Sequence, residues 1–359
     1  MPHASGYFRT TYGRDIVLVD TRTQRAGLAA LTIALVALPM FDAPFVLDLA
    51  NQVLLAVIGA VALMLLTGFA GQISLGHAGL LAAGAFTAGV LFKETGASIW
   101  TTLPAAAGIG AAIGLVFGLP SLRLRGLYLA VSTLALHFIV IFAGNEYETR
   151  RGFSTGVVID PPALPDWMGT WILTDARGWY AVLLVFAAGA VLLGLNLLRS
   201  KTGRAWRAIQ GREAVAEALG INVPAYKLLA FVISSAMTAV AGALFAYYRG
   251  FVSAEAFSLY LSIQYVAMVI IGGLGSILGA VLGALFVTLF PYLIEWLMTT
   301  LPFPASWANS VFAVNYAAFG AVMIAFLLFE PQGLVGIWHR VQNWFLLWPF
   351  RQKPLSGAK

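Results

Sequence analysis

The sequence predicts an all-α, polytopic transmembrane helical bundle of about ten spans, and three observations predict it. Hydrophobic residues make up 60% of the 359 and charged residues only 10%, against roughly 25% charged in soluble domains. The apolar residues fall in runs close to the about 20 that a helix needs to cross a bilayer. The basic residues gather in alternate connecting segments, as the bias of cytoplasmic flanks toward Lys and Arg requires.

Spans are predicted near 26–41, 51–68, 76–92, 99–119, 127–143, 179–198, 227–249, 259–273, 277–298 and 311–329. The stretch SIQYVAMVIIGGLGSILGAVLGALFVTLFPYL fits either one overlong helix or two joined at Gly272-Gly273-Leu274-Gly275. Charge favours two. With the N-terminus inside and ten crossings, sixteen of the 21 Lys and Arg lie on inner segments, and only Lys93, Arg150, Arg151, Arg177 and Arg249 lie outside. Nine crossings would instead leave the basic end RQKPLSGAK outside.

The expected organisation is a cytoplasmic N-terminal tail over 1–25, a transmembrane domain over 26–330 and a cytoplasmic C-terminal tail over 331–359. The first 25 residues lack the apolar core and small-residue cleavage site of a signal peptide, and read as a retained polar tail. Residues 144–178 form the longest external loop. Pro161, Pro162 and Pro165 argue there against a continuous helix, and Trp167, Trp171 and Trp179 suit an interfacial belt. Residues 199–226 form the longest internal loop. Ala205 to Leu219 are good helix formers, and Gly220 with Pro224 supplies a stop, so a short helix is expected along the membrane surface.

Several function classes receive no support. The net charge of +6 is sorted by membrane side, so it does not indicate nucleic acid as a partner. With no cysteine there is neither a disulfide framework nor a thiolate metal site. No HExxH or paired-carboxylate constellation lies within the spans, and no GxxxxGK[ST] phosphate loop is present. Catalysis, metal and bound cofactor are not expected of this chain. A proton- or sodium-driven carrier usually keeps an ionisable group inside the membrane; here only His77 and His137 qualify, and each is read first as a hydrogen-bonded structural histidine.

Glycines at four-residue spacing let transmembrane helices approach closely. Gly110, Gly114 and Gly118 make one such ridge, and Gly275, Gly279 and Gly283 another; both predict packing. The stretch GFAGQISLGHAGLLAAGAF (68–86) differs, because its glycines accompany Gln72, Ser74 and His77. Two readings stay open. One is a tight turn between two helices, with Gln72 and Ser74 capping the ends. The other is a broken helix presenting backbone and side-chain polar groups to a solute, which membrane depth tolerates only against protein or a water-filled cavity. The internal loop likewise reads as a solvated basic helix, or as a rigid protrusion that carries the motion of a separate ATPase into the bundle.

GFAGQISLGHAG (68–79), RAIQGREAVAEALGINVPAYKLLAFVISSAMTAVAGALFAYYRG (207–250) and VAMVIIGGLGSILGAVLGA (266–284) resemble the LivM-type permease subunits of branched-chain amino acid ABC transporters. The resemblance covers most of 50–330, in the family's order. It implies a heteromeric importer in the bacterial inner membrane, with both termini of this chain cytoplasmic. The implied partners are a LivH-like second permease, two ABC ATPase subunits that bind ATP and Mg, and a periplasmic substrate-binding protein. It implies a substrate path at Gly71, Gln72, Ser74, Gly76 and His77, and ATPase coupling at Arg212, Glu213, Glu217 and Gly220. The chain departs from the general EAA pattern of ABC permeases, where the glycine follows the glutamate more closely. It also carries TRRGFSTG (149–156) where the family often shows a threonine–glycine-rich turn. Urea and short-amide importers share the architecture, and a passive channel or a secondary carrier would also be built as an apolar bundle.

Overall fold

The computed structural model describes residues 22–40, 43–122, 126–153, 156–162, 175–300 and 311–347. The polar N-terminal residues before 22, Arg123, Arg125, Pro165, Trp167, Trp171 and the basic end RQKPLSGAK lie outside the described residues.

The chain is helical almost throughout. Helix α1 spans Arg22–Ala37, α2 Pro44–Leu63, α3 His77–Thr95, α4 Ile99–Ser121 and α5 Leu127–Arg151. After these come α6 (Ala176–Arg199), α7 (Lys201–Gly211), α8 (Glu213–Ala218) and α9 (Val223–Arg249). The last four are α10 (Leu259–Gly272), α11 (Ile277–Thr300), α12 (Val311–Phe329) and α13 (Gly333–Leu347). A two-residue antiparallel pair, β1 (Val157–Val158) and β2 (Phe251–Val252), ties the segment after α5 to the end of α9, with Val157 opposite Val252.

Local chemistry explains the element ends. The α2 helix opens with Pro44 in its first turn, where the missing N–H costs nothing. At the start of α9 the Asn222 side chain accepts from Ala225 N at 3.2 Å, with Pro224 in the first turn. The α5 helix runs on to Arg151, well past the predicted end at 143. Its polar last turns are held by ion pairs, Glu146 with Arg150 and Glu94 with Arg151, both at 2.6 Å. Hydropathy ends where the apolar face ends; the helix does not.

Every predicted span is helical, but ten crossings exceed what length and composition support. Among the described residues six helices are long and apolar enough to cross a membrane: Pro44–Phe69, Ile99–Pro120, Tyr128–Arg151, Ala176–Arg199, Val223–Arg249 and Ile277–Thr300. A seventh is the bent pair Ala313–Phe329 and Gly333–Gln342, which turns by 56°. The α1 and α10 helices are apolar but short. The third predicted span, α3, has every residue from His77 to Gly89 buried by neighbouring helices. A helix sheathed in protein needs no lipid-facing apolar surface, so small and polar residues are admitted.

The core forms where α2, α3, α4 and α9 cross. A Cβ on Gly84 of α3 would meet the Ala239 carbonyl oxygen at 1.8 Å, and one on Gly242 of α9 would meet that of Leu81 at 1.9 Å. The two backbones therefore touch. The Gly110–Gly114–Gly118 ridge of α4 packs on α9 at Ala239, Ser235 and Leu228, as the spacing predicts. The α10 and α11 helices form a hairpin across residues 273–276, and the second ridge serves it at Gly279 and Gly283. Gly275 belongs to the connection instead, beside the Gly68 carbonyl. The segment after 330, expected as a tail, is helical to Leu347. Its first residue Gly333 lies against Ile271 and Gly273 of the α10–α11 turn.

Candidate functional site

The sequence from Met64 to His77 breaks the second span. A π-helical turn, Met64–Phe69, ends α2, and irregular backbone follows from Ala70 to Gly76 before α3 begins. Gly71 has φ +68°, a conformation that side-chain-bearing residues resist. Gly71 is exposed, as is Ile73, whereas Gln72, Ser74, Gly76 and His77 are buried.

The predicted capping by Gln72 and Ser74 is not what the structure uses. The orphan donors at the start of α3 are met from other helices. Leu75 N donates to Thr133 Oγ1 of α5, and Ala78 N donates to Ser262 Oγ of α10, each at 2.9 Å. Gly76 and Gly79 allow this approach, since their Cβ atoms would strike the Thr133 carbonyl oxygen at 2.2 Å and the His137 Cα at 2.6 Å. Thr133 and Ser262 were not legible as partners, because each cap acts across the fold from a helix distant in sequence.

Capping from elsewhere leaves the predicted polar residues unengaged by protein. Gln72 Oε1, Ser74 Oγ and both ring nitrogens of His77 are buried and have no hydrogen-bond partner among the described residues. The Gly59 backbone lies beside His77 without completing one of good geometry. Such groups are rare, because an unpaired buried polar atom costs roughly 1–3 kcal/mol. The His77 ring packs on Tyr265 of α10, with centroids 4.7 Å apart, and Tyr265 fits the notch left by Gly59. His137 does not join them; its ring lies against Phe138.

The internal loop is two helices, which corrects the single short helix expected over Ala205–Leu219. Arg212 is extended, with φ −157° and ψ 113°, and separates α7 from α8. The pair is rigidly seated. Trp206 is fully buried and its Nε1 donates to the Tyr226 carbonyl at 2.8 Å. Ile209, Ala216 and Val223 make a small separate core beneath α7 and α8. Glu213 is ion-paired to Lys227 at the start of α9. Glu213 is thereby a brace of the unit, while Arg212, Glu217 and Gly220 stay exposed at its outer edge. Beside Glu217, Val215 is 52% and Leu219 73% exposed.

The two predicted sites prove to be joined. Gln210 Nε2 of α7 donates to the Gly68 carbonyl in the π turn at 2.6 Å, and Gly71 lies beside the Gln210 backbone. This contact ties α7 to the broken segment.

Residues 45–327 match the family described as branched-chain amino acid transport system / permease component. The chain is 34% identical over 280 residues to the high-affinity branched-chain amino acid transport system permease protein LivM of Escherichia coli K12, covering 72% of this chain and 65% of that protein. The chain thus spans just under two thirds of this relative's length. It is 27% identical over 237 residues to a probable LivM of Methanocaldococcus jannaschii, covering 63% of this chain and 65% of the relative. To the probable LivH of the same archaeon it is 26% identical over 275 residues, covering 72% and 82%. No solved structure matches. With most of the chain inside the family match, a multi-helix membrane bundle, and the broken GQISLGHAG segment at its centre, the protein belongs to the branched-chain amino acid transport permease family.

Proposed function

We propose that this chain is the permease subunit of an ATP-driven importer and forms part of the translocation path for branched-chain amino acids. The observation that carries the reading is the contact between Gln210 and Gly68, which links a rigid surface protrusion to a break in a buried helix. An ATP-driven permease without a phosphate loop of its own takes its work from a separate ATPase, and this linkage would provide the route. The α7–α8 unit is the ATPase seat, with Glu217, Val215 and Leu219 at the contact and Arg212 and Gly220 shaping it. ATP and Mg are bound by two ABC ATPase subunits, a LivH-like permease completes the path, and a periplasmic binding protein delivers the solute.

In this reading α7–α8 faces the cytoplasm and the β1–β2 end faces the periplasm across the bacterial inner membrane, with both termini cytoplasmic. The segment from Gly71 to His77 is the moving part of the path. Its unengaged Gln72, Ser74 and His77 atoms suit brief contact with a zwitterion. Weak contact favours passage, since a solute held tightly is not released.

The test is purification from native membranes followed by reconstitution. The ATPase subunits and a second permease should accompany this chain, and leucine uptake should require both ATP and loaded binding protein. Uptake by this chain alone, driven by an ion gradient, would replace the reading with a secondary carrier.

A further inference from the structure

A cavity of about 270 Å³ lies between α2, α9, α10 and α11, toward the β1–β2 end of the bundle and away from α7–α8. Its wall is apolar at Leu55, Leu81, Phe257, Leu261 and Met268. Its polar lining includes Gln52, Arg249, Thr288 and Tyr292. Tyr265 also lines it and packs on His77, so the cavity adjoins the broken segment.

Charge at the rim is unequal. Asp48 is engaged on both oxygens: Gln52 Nε2 donates to Oδ2 at 2.7 Å, and the Tyr248 hydroxyl donates to Oδ1. Tyr292 donates in turn to Gln52 Oε1 at 3.1 Å, so three side chains are committed to holding the carboxylate. Arg249 is exposed, lies 5.8 Å from the ring centroids of Phe245 and Tyr248, and makes no ion pair with the described residues. Thr288 Oγ1 is buried and has no hydrogen-bond partner among protein groups.

We infer that this cavity is a receiving chamber for an α-amino acid with an apolar side chain, in which Arg249 takes the carboxylate and Thr288 takes the ammonium. The guanidinium offers paired donors matched to a carboxylate, and it lies within cation–π range of two rings. A hydroxyl oxygen accepts from an ammonium. The apolar wall accepts a branched side chain. The volume falls near the lower end of the roughly 300–1,000 Å³ usual for ligand pockets, which suits a small solute. An exposed ion pair is worth little, so Arg249 guides the solute without trapping it. The chamber deepens the importer reading and rests on it.

The experiment uses the full complex with its partner subunits and loaded binding protein in proteoliposomes. Wild-type uptake of leucine is read first, and its absence would overturn the importer reading before any variant is compared. Given wild-type uptake, Arg249→Gln should lower leucine uptake by about tenfold, and Arg249→Lys should restore part of it. Thr288→Cys, in a chain with no other cysteine, should react with a water-soluble maleimide added from the β1–β2 side and then lose uptake. Ala188→Cys, on the exposed face of α6, should tolerate the same treatment. Wild-type uptake in Arg249→Gln, no reaction at Thr288→Cys, or undiminished uptake after its modification would each overturn the chamber.

Discussion

The Gln210 side-chain amide donates to the Gly68 carbonyl at 2.6 Å, across 142 positions of sequence. Gly68 lies in a π turn, where the α-helical hydrogen-bond ladder is interrupted and a carbonyl can accept from elsewhere. Gln210 lies on α7, whose Trp206 is locked to the start of α9. One hydrogen bond therefore joins the surface unit to the broken helix.

Gln210→Ala is predicted to uncouple transport from ATP hydrolysis. A single hydrogen bond contributes roughly 0.5–1.5 kcal/mol, so folding and subunit assembly should survive. Leucine moved per ATP hydrolysed should fall several-fold, measured as parallel uptake and phosphate release in proteoliposomes. An unchanged ratio would reduce the contact to a structural tie.

The α8 surface should be required for ATPase binding. Leu219→Glu and Glu217→Arg change exposed side chains, so the bundle should insert normally. Both should lose substrate-stimulated hydrolysis, and Leu219→Glu should also release the ATPase subunits during purification. Gly220→Val should act similarly, because φ is +81° there and a β-branched residue resists it. Normal stimulation in all three would leave α7–α8 a mere connector.

Gly84→Val and Gly242→Val should destabilise the bundle itself. Each Cβ would lie within 2 Å of an opposing carbonyl oxygen, which forces α3 and α9 apart. Overpacking of this kind costs about 1–3 kcal/mol or more. The melting temperature in detergent should drop and aggregation rise. Gly189→Ala, where nothing lies within 4 Å, is the neutral control.

Orientation is testable with single cysteines, since the chain has none. Ala256→Cys, exposed beside β2, should react with an impermeant thiol reagent in intact cells. Lys201→Cys, at the start of α7, should react only after permeabilisation. The opposite pattern would invert the proposed topology.

His77→Gln should keep most uptake, because neither ring nitrogen is committed to a protein partner and the amide fits a polar role. Complete loss in a well-assembled complex would point to proton chemistry and favour a secondary carrier.

Along the chain, apolar runs sufficed to place the helices of the bundle, because burial in lipid and burial in protein both demand them, but not the helix after 330 or the split of the internal loop into α7 and α8. The glycine spacing of 110, 114 and 118 declared a packing face, and Gly71 with its polar neighbours marked irregular backbone after the second span, read as either a tight turn or a broken helix. Those signals are local: a period, a run, a residue that tolerates unusual backbone. What the sequence could not display is who answers whom. Thr133 and Ser262 cap α3 from two other helices, Tyr265 packs on His77, and Gln210 holds Gly68, and none of these pairs is close in sequence. The span count also depended on packing. The α3 helix reads as a weak crossing because its surroundings are protein, and hydropathy cannot distinguish a protein sheath from lipid. Composition along one chain determined that the helices form; only their arrangement in space decided which polar groups are spent on structure and which are left without a hydrogen-bond partner among the described residues.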